Sequence, residues 1–226
     1  MLQINKIYNA DCLELMKDIP DNSIDLVLTD PPYGMNFKSG YRKIQYNNIE
    51  NDNNLDWLNL WLKEISRIKK DNSHLYIFCS WHNIDIFKKE IELFFDVKNI
   101  LIWHKNNTGM GDLFNDYAPQ YEFIIYCNPN NKPLNNGRDS NIIKYARTNN
   151  ELHPTQKPVA LFEYLIKKST NPNDLVLDCF SGSGTTAIAC VNAKRNFICI
   201  EKDKGYYEAS CRRLEEAKTL KEMEII

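Results

Sequence analysis

Three features are missing from this chain of 226 residues, and each absence removes a class of answer. No apolar run approaches the roughly 18 residues that span a bilayer. The opening stretch MLQINKIYNADCLEL has neither the basic start nor the apolar core of a secretory signal. A cytoplasmic protein with no membrane partner is therefore expected. Paired cysteines are missing too. Cys12, Cys79, Cys127, Cys179, Cys190, Cys199 and Cys211 stand singly and no C-x-x-C occurs, so neither a zinc site nor a disulfide framework is expected. The third absence is an excess of positive charge. A formal net charge of −2 excludes a generally basic nucleic-acid coat and leaves room only for a local basic surface.

What is present describes an ordinary core-forming chain. Hydrophobic residues make up 43% and charged residues 26%, enough for one domain over residues 1–226. Short β-rich runs alternate with helical patterns. Strands are expected at KIYNA, SIDLVLTD, SHLYIFCS, VKNILIWHK, YEFIIYCN, DLVLDCF and NFICIEKD. Helices are expected at LDWLNLWLKEISRIKK, IDIFKKEIELFF, PVALFEYLIKKST, TTAIACVNAKR and YYEASCRRLEEAKTL. Apolar strands separated by helices argue for an α/β fold, a mostly parallel sheet covered on both faces. Two segments break the rhythm: the polar loop 34–54, and residues 128–157, rich in Asn, Pro and Gly. Long loops in a compact domain are usually functional or disordered.

One strand ends in TDPPYG. Neither Pro31 nor Pro32 can donate to a ladder, so the strand must stop and the chain leaves on a rigid path, with Asp30 and Tyr33 in fixed relation. A second strand runs into DCFSGSGTTAIA. Gly182, Gly184 and Ala187 have the spacing of a nucleotide-binding turn, and Glu201 closes the following strand, where an acid suits ribose hydroxyls. The turn lacks the lysine of a phosphate-binding loop. Such a glycine turn is equally at home as a purely structural bend. Asp178, just before it, would repel the pyrophosphate of NAD and would favour a cationic ligand. S-adenosylmethionine carries an ammonium, a sulfonium and a ribose, but no phosphate, and is the cofactor expected.

Taken together, DPPYG before FSGSG, with HPTQKP between them, resembles the circularly permuted β-group of DNA amino-methyltransferases. These act on adenine N6 or cytosine N4. The likeness runs from NADCLELM to ICIEKD and is weakest over about 104–150, where such enzymes carry a target-recognition segment. It implies a Rossmann-like, S-adenosylmethionine-dependent methyltransferase fold with a seven-stranded sheet and one antiparallel strand. Asp30, Pro31, Pro32 and Tyr33 would form the catalytic clamp. Asp11, Cys12, Thr155, Gln156, Lys157, Asp178, Phe180, Ser181, Gly182, Ser183, Gly184, Thr185 and Glu201 would hold the cofactor. Asp11 also suits a plain helix cap, and Lys157 a solvated side chain.

In such a clamp, Asp30 and the carbonyl of Pro31 take the two amine hydrogens, and Tyr33 stacks on a flipped base. The absence of a Pro-Cys dipeptide speaks against a cysteine nucleophile. Asp30 in the first position favours adenine-N6 transfer. Cytosine-N4 transfer and an inactive nucleic-acid-binding module are the alternatives. For double-stranded DNA, two basic groups are candidates: Lys38, Arg42 and Lys43 after the clamp, and Arg138, Lys144 and Arg147 in the recognition segment. A homodimer and a companion restriction endonuclease are open partners, and no metal is expected.

Overall fold

The computed structural model describes residues 2–33, 57–108, 114–148 and 156–223. Loop 34–54, with Lys38, Arg42 and Lys43, and Thr155 of the HPTQKP segment lie outside the described residues. One sheet organises the rest. Its strands are β1 (Lys6–Asn9), β2 (Ile24–Thr29), β3 (Lys69–Cys79), β4 (Val97–His104), β5 (Tyr121–Cys127), β6 (Ile142–Lys144), β7 (Leu175–Asp178) and β8 (Asn196–Glu201). Their order is β1-β8-β7-β2-β3-β5-β4-β6. β5 runs antiparallel to β3 and β4, and every other neighbouring pair is parallel.

Among the described residues the sheet has eight strands, where seven were expected. The additional strand, β6, falls within residues 128–157, read from the sequence as loop. Three residues are too short to show a period of two, and only Ile143 is buried. The strand exists because β4 offers it an edge, pairing Ile102 with Ile142 and His104 with Lys144.

The helices are α1 (Cys12–Leu15), α2 (Trp57–Ile68), α3 (Ile84–Ile91), α4 (Val159–Ser169), α5 (Thr185–Ala193) and α6 (Lys204–Met223). Alternation along the strands feeds two cores. Leu26, Leu28, Tyr76, Phe78, Ile124 and Tyr126 face α4, α5 and α6. Val27, Leu75, Ile77, Ile125 and Leu177 face α1, α2 and α3. α2 shows why a sequence of this kind becomes a surface helix. Leu58, Trp61, Leu62, Ile65 and Ile68 make one buried stripe at helical spacing. α5 is buried nearly all round and is correspondingly free of charge.

This winding places the ligand crevice. From β7 the chain crosses to β8 on one side, and from β2 to β3 on the other. The carboxyl ends of β7 and β2 therefore flank a topological switch point, where open α/β sheets bind ligands.

Candidate active site

The two strands at the switch point are fastened to each other at their tips. Thr29, the last residue of β2, donates its hydroxyl to Asp178, the last residue of β7, at 2.7 Å. The same carboxylate accepts from Thr186 of α5 and from the backbone N–H of Phe180 at 3.1 Å. Asp178 is only 3% exposed. Burial pushes its carboxyl up to about 6, against the pull of these three donors. Asp178 thus stands where the sequence placed it, but its oxygens are engaged inside the fold.

Beyond it, Gly182 and Gly184 both take positive φ, 49° and 76°. At Gly184 the need for glycine comes from packing as well as φ. A Cβ there would stand 2.9 Å from that of Ser210 on α6. Packing against α6 is thus enough by itself to demand glycine at this position. α6 also sends Arg213 into the turn, donating to the Ser183 carbonyl at 3.0 Å, to the Ser183 hydroxyl at 3.2 Å and to Thr185 at 3.3 Å. No motif in the sequence pointed to Arg213.

Glu201, at the tip of β8, accepts from Gly182 N at 2.7 Å and Asp203 N at 2.8 Å. Burial raises its carboxyl to about 7 despite these two amides. The Ser181 hydroxyl and the Gln156 side-chain oxygen are buried with no hydrogen-bond partner among the described residues. A buried polar atom without a partner calls for one, and these two stand beside the glycine turn and before α4. Phe180 packs its ring on Trp57 and Trp61 of α2, with centroids 5.3 and 5.7 Å away. Asp11 caps α1, accepting from Leu13 N at 2.9 Å, as the plainer reading had it. Its neighbour Cys12 is buried, and its thiol is pushed to about 12.

The DPPY clamp leaves β2 one residue after Thr29. Asp30 accepts from the Tyr33 hydroxyl on one oxygen and from the Lys157 ammonium, at 2.5 Å, on the other. Tyr33 packs partly buried against the α4-side core. Its backbone carbonyl accepts from Asn83, just before α3. Lys157, expected with Thr155 and Gln156 in the segment closing over the cofactor, stands between the glycine turn and the clamp. It touches that turn through its backbone carbonyl, which accepts from Thr185 at 3.3 Å, while its ammonium turns to the clamp.

Lys157 also pairs with Glu122 at 3.1 Å, and Glu122 with Lys105 at 2.7 Å. Burial pushes the Asp30 carboxyl up, with Lys157 opposing and Glu122 reinforcing that push. Burial would lower Lys157, but Asp30 and Glu122 raise it on balance. For Glu122, Lys157 and Lys105 outweigh burial and hold the carboxyl below its ordinary value. Sequence reading missed Glu122 and Lys105. A signal existed: in YEFIIYC, Ile124 and Tyr126 face the α4-side core, and Glu122 shares their parity.

The candidate DNA contacts divide. Lys144 ends β6 and Arg147 follows it, at the sheet end that carries the clamp. Arg138 belongs elsewhere. Its neighbours Gly137 and Asp139 both bond to Lys168, at 2.9 and 2.6 Å, near the C-terminus of α4 and the opposite end of the sheet. The rim of the clamp carries aromatic rings that the sequence did not single out. Trp81, 54% exposed, stacks on His82 with centroids 3.9 Å apart, directly after β3. Tyr117 is exposed in the connection from β4 to β5.

Known proteins resemble this chain along most of its length. Type II methyltransferase M2.MboI of Moraxella bovis is 33% identical over 241 aligned residues, covering 93% of this chain and 87% of that protein. DNA adenine methyltransferase YhdJ of Escherichia coli (strain K12) is 29% identical, covering 93% and 83%. The crystal structure of the M1.HpyAVI-SAM complex superposes with a TM-score of 0.71 at 32% identity, covering 92% of this chain and 98% of that one. A family model for DNA methylases of the N6/N4 type matches residues 24–212, a span containing the clamp, the charged groups around it and the glycine turn. This protein belongs to the N6/N4 family of DNA methyltransferases.

Proposed function

We propose that the protein methylates the exocyclic N6 of adenine in double-stranded DNA, taking the base flipped out of the helix. The observation that carries this reading is the clamp. Asp30 stands at the switch point, held by Tyr33 and Lys157, one residue from the Thr29–Asp178 bond that joins it to the cofactor turn. S-adenosylmethionine supplies a methyl group activated by its sulfonium. Glu201 would take the ribose hydroxyls, and the orphaned Ser181 hydroxyl and Gln156 oxygen suit the polar remainder.

The chain's own task is to make a poor nucleophile competent. An aromatic amine delocalises its lone pair into the ring. Asp30 and the Pro31 carbonyl each accept one amine hydrogen, which draws the nitrogen toward tetrahedral geometry and turns its lone pair to the methyl carbon. As the N–C bond forms, the methyl–sulfur bond breaks and its electron pair stays on sulfur. The nitrogen then sheds one proton to Asp30, which releases it to water. Tyr33 bonds to Asp30 here, so base entry exchanges its hydroxyl for the amine hydrogen and frees the ring to stack. Lys144, Arg147 and Trp81 lie at the sheet end where the duplex would rest.

Asp30 in the first clamp position and the adenine enzyme among the relatives favour adenine over cytosine. The test is mass spectrometry of nucleosides from unmethylated plasmid DNA treated with protein and S-adenosylmethionine. N6-methyladenine is expected, absent with Asp30→Asn, which should still bind cofactor. N4-methylcytosine alone would overturn the assignment of the base.

A further inference from the structure

Asp30, Lys157, Glu122 and Lys105 form an alternating chain of charges, each contributed by a different part of the fold. They come from the end of β2, the residue before the α4 cap, the start of β5 and the residue after β4. Lys157 is 5% exposed and Lys105 15%. Their ammonium groups also lie over the rings of Phe78 and Trp103, 5.3 and 5.1 Å from the centroids. Two cations and two anions cancel, so no net charge is buried. Stability does not call for such a chain, because desolvating ions commonly cancels what their pairing returns. Position does suggest a use: the chain ends on the carboxylate of the clamp.

We propose that Glu122, oriented by Lys105, is a positioning residue for methyl transfer, sharing the Lys157 ammonium with Asp30 and so limiting how far Lys157 neutralises the clamp. The inference rests on the methyl-transfer reading above and adds residues to it. Without the charge on Glu122, Lys157 settles wholly on Asp30. The carboxylate then becomes a weaker acceptor, both for the amine hydrogen and for the proton shed afterwards. Lys105 keeps Glu122 ionised and aimed, since Glu122 would otherwise be a surplus anion beside Asp30. Among the described residues the groups facing Asp30 are Tyr33, Lys157, Glu122, Cys79 and Asp178, and of these Glu122 is the one tied to a second lysine.

The sign of the effect follows from the charges. Glu122 raises the Asp30 carboxyl and Lys157 lowers it. Glu122→Gln keeps the shape, removes the raising charge and releases Lys157 to Asp30, so Asp30 must titrate at lower pH. In the full-length protein, with S-adenosylmethionine and unmethylated plasmid DNA, the acid limb of the kcat–pH profile should move down by about one unit. The plateau should fall about tenfold, with KM for S-adenosylmethionine changed less than twofold. The charge-balanced Glu122→Gln/Lys105→Met variant should show the same downward limb and fold at least as well as Lys105→Met alone. It serves also if Glu122→Gln does not fold.

Titration of the Asp30 carboxyl by ¹³C NMR, without DNA, reads the shift whichever base is methylated. This separates failure of the charge chain from failure of the adenine reading. An unshifted Asp30 titration in both variants overturns the proposal. So does a loss of activity that comes with weakened cofactor binding and no movement of the acid limb, because that pattern belongs to a merely structural Glu122.

Discussion

Asp178→Ala and Asp178→Asn distinguish a carboxylate that holds a ligand from one that holds the fold. In the structure its oxygens receive Thr29, Thr186 and the Phe180 amide. Alanine leaves all three donors in a site only 3% exposed. At roughly 1–3 kcal/mol for each of these three buried donors left unmet, at least about 3 kcal/mol of stability should be lost. That is a large share of the roughly 5–15 kcal/mol typical of a domain.

Asparagine keeps an acceptor and the shape, so at pH 8 it should stay within about 1 kcal/mol of the parent. The pH dependence adds a second check. A carboxyl lifted from 3.8 to about 6 carries roughly 3 kcal/mol of penalty when ionised. The folded state therefore binds this proton more tightly than the unfolded chain. Parent stability from Asp178 should rise as pH falls from above 6 toward 4, and Asp178→Asn should lack that rise. Urea unfolding at pH 8, 6 and 5 measures both effects, with calorimetry of S-adenosylmethionine binding at pH 8 alongside. If Asp178→Ala unfolds at the parent's midpoint and loses only cofactor affinity, the fastening role is wrong and the carboxylate serves the ligand.

Glu201 is lifted to about 7, and ribose hydroxyls favour its ionised form. S-adenosylmethionine affinity should therefore weaken about tenfold per pH unit below 7 and level off above it. Calorimetry across pH 5.5–8.5 tests this, and a flat profile in the parent would refute it. Gly184→Ala combines left-handed φ with a 2.9 Å clash on Ser210, so a loss of roughly 2–4 kcal/mol is expected in thermal unfolding. Gly137→Ala, with similar φ and nothing within 4 Å, should lose only about 1 kcal/mol; equal losses would discount the α6 contact. Neutralising Lys144 and Arg147 together should flatten the salt dependence of DNA binding by about two phosphate contacts, while Arg138→Gln leaves it unchanged. Fluorescence anisotropy with labelled duplex reads both, and the reverse pattern would move the DNA to the other end of the sheet. Trp81→Ala should weaken DNA binding by roughly 1–3 kcal/mol if its ring stacks on a base, and undiminished affinity would remove Trp81 from the interface.

Local sequence determined more of this protein than its composition suggests. Seven of the eight described strands and the five longer helices announce themselves as apolar runs or apolar stripes. That signal suffices because each strand lies within a core whose alternation it must match. Two prolines ended β2, and spaced glycines opened α5, because backbone geometry at those points depends on a few adjacent residues. Tertiary structure decided the rest. β6 needed the edge of β4, and Arg138 parted from Lys144 and Arg147 because a short stretch of chain spans the sheet from end to end. Asp178 turned inward to Thr29 and Thr186, which are 149 and 8 residues away. The chain from Lys105 through Glu122 and Lys157 to Asp30 could be assembled only in space. Its members stand on separate elements, and a charge acts over a distance that takes no account of sequence order.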